Sequence, residues 1–236
     1  MTSGAPGWLG SASANVAQDA PATITVPATF ARANLLVALV ATDGPDSVPV
    51  GSATSETTAV FGGTSGLTWT RHGHESSRQD WAATGDTLET YGASATEVWT
   101  ALPPQGWTPH GTVTEISNHP NSVDDGQVLT IAAFNNGRIG GVTTLDGLAG
   151  RPEQQQMSVP VGSSIYAATF SGRVNANFTP LPAYHEVIQR RQGDDTAGVL
   201  ASDSRDLPAG LQAVGYSAPN PGNYWEMAIA VITAAT

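Results

Sequence analysis

The sequence predicts an all-β protein, an antiparallel β-sandwich with an extended N-terminal arm, and three observations predict it. Helical periodicity is nearly missing along the 236 residues. Glycine (26) and proline (16) interrupt the chain every few residues. Between these breakers lie short β-branched and aromatic runs, several alternating apolar with polar, as strands do when one face is buried.

Residues 1–20, MTSGAPGWLGSASANVAQDA, are small and polar and belong to no obvious strand pair. They are expected to form an arm, because they cannot bury enough surface alone to offset their ordering entropy. Their one large anchor, Trp8 followed by Leu9, is expected to contact a neighbouring subunit. Residues 21–236 are expected to form a single sandwich domain, without a convincing internal repeat.

Within that domain, strands are expected at 23–26, 35–42, 57–61, 67–72, 88–91, 95–101, 111–116, 128–135, 164–170, 211–217 and 224–234. In TITV, Ile24 and Val26 point one way. NLLVALVA and MAIAVITA are continuously apolar, as central strands covered on both faces would be. Trp69, Trp99 and Ile229 are expected to be largely buried. Two segments read differently. TTLDGLAG at 143–150 suggests a turn of helix, and AYHEVIQRRQ at 183–192 fits a short helix or a strand.

Composition narrows the function. Cysteine is absent, which removes disulfides, thiolate metal sites and cysteine nucleophiles. Nine basic residues, all arginine, stand against 20 acidic ones, for a formal charge of −11. No nucleic-acid partner is expected, since phosphate neutralisation needs clustered cations. Only 12% of residues are charged, so Thr, Ser, Asn, Gln and Gly must coat the surface. The longest apolar run, LLVALVA, is too short to span a bilayer, and the start has no signal-peptide pattern. A soluble chain without membrane insertion is expected.

The order ATITVPATFARANLLVALVATDG, SGLTWTRHG, ATEVWTA, GTVTEI, LTIAAF, VPVGSSIYAATFSG and YWEMAIAVITAA resembles a β-sandwich domain of actinobacteriophage virion proteins, minor tail and fibre-associated. Asn34 stands where that pattern has Asp, and Ala33 where it has Gly. The resemblance covers residues 20–236 and implies a jelly-roll-like or lectin-like sandwich in a virion. It carries no catalytic signature to any position here.

The residues that could carry chemistry are few. In GLTWTRHGHESS, His72 and His74 would share one face of a strand, a feasible metal-ligand spacing. A third ligand would have to come from Glu75, Asp80, His110 or His119. No metal framework surrounds the pair, so a hairpin end with solvated histidines is expected, with no metal and no cofactor. Glu97 and Glu115 could flank a sugar as acid and base, but strand carboxylates of an antiparallel sheet are expected to face water. Glu226, among apolar neighbours, is expected to be buried and paired with an arginine. VGSS at 161–164 reads as a turn, as do the acidic DDG (124–126) and GDD (193–195). Trp81 and Trp107, in polar loops, are the candidate contacts to a ligand or partner.

The expected function is therefore non-enzymatic: a structural protein of a bacteriophage virion, as a minor tail or adsorption-apparatus protein. Capsid decoration or a carbohydrate-binding module is the alternative, and a glycan-cleaving enzyme comes third. Expected partners are other virion subunits, a homo-oligomer among them, and a host cell-surface glycan. The expected location is the virion, assembled in the host cytoplasm.

Overall fold

The structure is a computed structural model that describes residues 5–17, 20–43, 58–76, 79–80, 90–91, 94–118, 126–148, 154–172, 179–192, 195–202, 207–217 and 224–235. The first half of the chain runs β1 (Gly7–Ala17), β2 (Ala22–Thr25), β3 (Leu35–Asp43), β4 (Thr58–Gly63), β5 (Trp69–Glu75), β6 (Gln79–Asp80), β7 (Thr90–Tyr91), β8 (Ala95–Ala101), β9 (Thr112–Asn118) and β10 (Gly126–Asn135). The second runs β11 (Gly137–Leu148), β12 (Gln154–Val159), β13 (Ser164–Gly172), β14 (Thr179–Pro180), β15 (His185–Gln192), β16 (Asp195–Ala201), β17 (Gly210–Ser217) and β18 (Tyr224–Ala234). The single described helix is a 3-10 turn, Ala28–Arg32.

Pairing order exposes a duplication. The first half makes a five-stranded sheet, β1-β10-β3-β8-β5, and a three-stranded one, β2-β9-β4. The second makes β11-β18-β13-β16-β15 and β12-β17-β14, the same connections in the same order. Each half is a small jelly-roll-like sandwich of antiparallel strands. The antiparallel sandwich expected from the sequence is thus present, and it is present twice.

Sequence traces of the repeat are slight. Gly7-Trp8-Leu9-Gly10 opens β1 and Gly137-Arg138-Ile139-Gly140 opens β11, each with a register shift at that place. Val26-Pro27 leaves β2 as Val159-Pro160 leaves β12.

The two five-stranded sheets pack face to face, so the protein is four layers deep. β1 lies against β15 and β5 against β11, which relates the halves by an approximate two-fold. Leu35, Val37 and Leu39 of β3 meet Tyr166, Ala168 and Phe170 of β13 in the middle core. There Phe134 and Tyr166 stand edge to face, with ring centroids 5.8 Å apart, a geometry worth about 0.5–1.5 kcal/mol beyond area burial. Each half also keeps its own core: Ile24, Phe30 and Val113 in the first, Ile165, Tyr216 and Ile229 in the second. Residues of β3 and β13 are buried along their whole length, because alternate side chains enter different cores. That is why those strands read as continuous apolar runs.

Several expectations are corrected. Residues 7–17 are a strand of the fold, paired with β10 from Gly7 to Ala17, with Leu9, Ala12, Ala14 and Val16 against the first core. Ser and Ala small enough to sit under a sheet edge hide this role from a hydrophobicity reading. Of the expected helical turn at 143–150, residues 143–148 are the end of β11 and 149–150 lie outside the described residues, while of the two readings open for 183–192 the strand is the one formed, as β15. Helical spacing of Tyr184, Val187, Ile188 and Arg191 lost to cross-strand pairing, with a register shift between Glu186 and Ile188. Ile229 is fully buried, but Trp69 and Trp99 are half-buried beside the first core. They border the open side of the sandwich, between edge strands β4 and β5.

Candidate functional site

That open side holds a polar constellation built around Glu97. Glu97 and Trp99 are two apart on β8, so both point into the first half. On β5 a register shift falls between Arg71 and Gly73, and Arg71 stands opposite Trp99 while His74 stands opposite Glu97. One extra residue in a strand turns everything after it to the other face. The bulge is what delivers His74 to Glu97.

Glu97 is completely buried. Its Oε1 lies 2.7 Å from His74 Nδ1, accepts the Ala59 backbone N–H at 3.2 Å and lies 3.6 Å from an Arg71 guanidinium nitrogen. Its Oε2 accepts the indole N–H of Trp99. Ala59 belongs to β4, so this one carboxylate fastens the two sheets of the first half together. Above it Phe61 stacks on Trp69 at 4.8 Å and leans on Trp99 at 5.1 Å, and the Arg71 guanidinium sits 5.9 Å from the Trp99 ring centre. Arg71 remains 43% exposed. A cation over an aromatic face is attracted by the ring quadrupole, modestly where water reaches it.

His72 goes elsewhere. Its Nε2 is 2.7 Å from Thr100 Oγ1, in a shallow cleft of about 340 Å³ lined by Thr68, Thr70, Thr100 and Leu102 on the opposite face. The two histidines therefore do not share a face, and the expectation that they would is overturned by the bulge. Glu75 follows on β5, His110 turns to the Thr108 carbonyl, and His119 lies outside the described residues, as does the surrounding of the Asp80 side chain. Among the described residues no three His, Asp or Glu side chains gather as metal ligands.

Glu115 is also buried rather than facing water. Ser117 Oγ donates to its Oε1 at 2.9 Å, and Gln127 ties the same strand end by accepting the Ser117 N–H at 2.8 Å and donating to the Ala20 carbonyl at 2.9 Å. The expectation that Glu97 and Glu115 would face solvent fails because both strands present that face to the sandwich interior. An acid–base pair on a sugar needs carboxylates open to it. These two are engaged with protein donors. Glu226 is fully buried, as expected, on β18 beside the middle core.

Trp8 lies on β1 with 38% of its surface exposed, and Leu9 turns to the first core. Trp107 is half-buried against the same core, its indole N–H donating to the Ser65 carbonyl at 3.3 Å. Trp81 lies outside the described residues, as do Asp124, Asp125, Gly193 and Asp194. The VGSS turn forms as expected, with Gly162 at φ 70°. Arg71 and Phe61 are not among the residues the sequence expectation names. The pairing of a Glu-x-Trp strand with a Trp-x-Arg strand was the available signal, since each puts its two side chains on one face.

No helix of the described residues is long and apolar enough to cross a membrane. Compared with protein-family models and with curated proteins, the chain matches none.

Proposed function

We propose that this chain is a non-enzymatic structural protein of a bacteriophage virion, a minor tail or adsorption-apparatus component assembled in the host cytoplasm, with capsid decoration as the alternative place in the particle. The observation that supports the reading is the fused pair of jelly rolls, four sheets deep, whose Glu97, Glu115 and His74 are engaged with internal partners. Such a block suits load-bearing packing, and its charge-poor surface suits contact with other subunits. Mass spectrometry of gradient-purified particles tests it. The chain should be found in them at a fixed copy number. Its absence from particles, while abundant in the lysate, would refute the reading.

A glycan-binding role is the second reading. It is favoured by the half-buried Phe61, Trp69, Trp99 and Trp107 along one side of the first half, with Arg71 exposed among them. Aromatic faces stack on sugar rings and a guanidinium bonds hydroxyls. A glycan-array signal lost in Trp107→Ala would support it, and an array without signal would remove it.

A further inference from the structure

We propose that β1 is a self-association edge: a second copy of the chain pairs with it, strand to antiparallel strand, extending the first five-stranded sheet across a two-fold. The proposal rests on the assembly reading above for its setting and gives the expected homo-oligomer a geometry.

β1 is an outermost strand, paired with β10 alone among the described strands. Its eleven residues, GWLGSASANVA, contain no charge and no proline. An outer strand leaves a row of backbone N–H and C=O groups on its free side, a template for another strand unless something blocks it. The other outer strands of the five-stranded sheets are blocked. β5 carries Arg71 and Glu75 with a bulge in its middle, β15 carries Glu186, Arg190 and Arg191 with another, and β11 carries Arg138 and Asp146 among four glycines. The edges of the three-stranded sheets carry no charge either, but they are short, from two residues in β14, one of them Pro180, to six in β4 and β12. Among the described strands only β1 is both long and undefended, and past its bulge the stretch Gly10–Ala17 runs in regular register.

The occupant follows from the charge. Each copy carries a formal −11, so two copies repel over most approaches and meet best along a strip with no charge. A strand edge is also complementary to its own antiparallel copy, which is what a closed two-fold contact requires. A register with Ser13 or Ala14 on the axis keeps Ala12, Ala14 and Val16 of both copies on the same face. The two first-half cores would then border one another under a continuous sheet.

The test is Ser11→Lys with Asn15→Lys, both positions exposed on β1. Molar mass is read by light scattering and sedimentation at protein concentrations in the tens of micromolar. Amide exchange over β1 is followed as the protein is diluted. The wild-type chain should be a dimer, with protection of β1 amides lost on dilution. The double variant should be monomeric or dissociate at least ten-fold more readily, with an unchanged melting temperature showing that its own ladder survives. Because two lysines reduce the overall repulsion, weaker association would point to the edge itself. A wild-type chain that is monomeric in this range would overturn the proposal. So would a variant that stays dimeric, or a dimer whose β1 exchange ignores concentration. A dimer through β1 in a chain absent from virions would defeat only the functional reading, and a monomeric virion protein only this one.

Discussion

The side-chain amide of Asn34 brackets the backbone of Gly137, donating from Nδ2 to its carbonyl at 2.9 Å and accepting its N–H on Oδ1 at 2.9 Å. Gly137 is the first residue of the second jelly roll, one residue after Asn136 with its left-handed φ of 52°. Asn34 sits just before β3, and its own N–H donates to the Phe134 carbonyl at 2.9 Å. One amide therefore holds the junction of the halves. Asn34→Asp keeps the acceptor but turns the donor into a carboxylate oxygen facing a carbonyl. A loss of about 1–3 kcal/mol is expected, as for other half-buried hydrogen bonds broken on one side. Urea unfolding checks it, and an unchanged midpoint would show that the bracket contributes nothing.

Removing Glu97 should cost more. Glu97→Ala leaves the Trp99 indole N–H and the Ala59 N–H without this acceptor and removes the carboxylate from His74. Breaking a buried, charge-assisted network of this kind costs about 3–5 kcal/mol. Glu97→Gln, which retains one oxygen, should lose less. If both variants unfold with the wild-type chain in denaturant, Glu97 does not fasten the sheets.

Gly73 explains why a glycine separates the two histidines. A Cβ there would come within 2.6 Å of Val142 Cγ1 and 3.0 Å of Thr144 Cγ2, so β5 can lie against β11 only without a side chain. Gly73→Ala is expected to cost about 1–3 kcal/mol by overpacking. Val142→Ala should relieve part of that cost in the double variant, a coupling a double-mutant cycle measures directly. Strictly additive effects would mean the two strands do not meet there.

Tyr184 predicts an alkaline limit. Its hydroxyl is buried in the second core without a hydrogen-bond partner among the described residues, and burial pushes its pKa from 10.0 up to about 12. The folded state thus holds the proton more tightly than the unfolded one. The stabilisation is complete below about pH 10 and is lost as pH rises through 12. Tyr184→Phe should flatten the fall in stability between these values and leave neutral-pH stability equal or higher, since it removes an unsatisfied hydroxyl. Parallel pH profiles for the two proteins would disprove this.

Strand content and several strand limits are determined by the sequence alone: the local pattern begins and ends at 95–101 and 224–234 where the strands do, and the unbroken apolar runs of β3 and β18 mark strands covered on both faces. Alternation and apolar runs are local properties with a period of two, visible wherever side chains are large enough to register. Tertiary structure alone decided the rest. β1 is a strand only because β10, more than a hundred residues away, supplies its hydrogen bonds, and its Ser and Ala side chains carry no hydrophobic signal of their own. Burial of Glu97 and Glu115 depends on a second sheet closing over them, which no pattern within either strand records. The separation of His72 from His74 turns on one bulged residue, and a shift of one residue reverses every face beyond it.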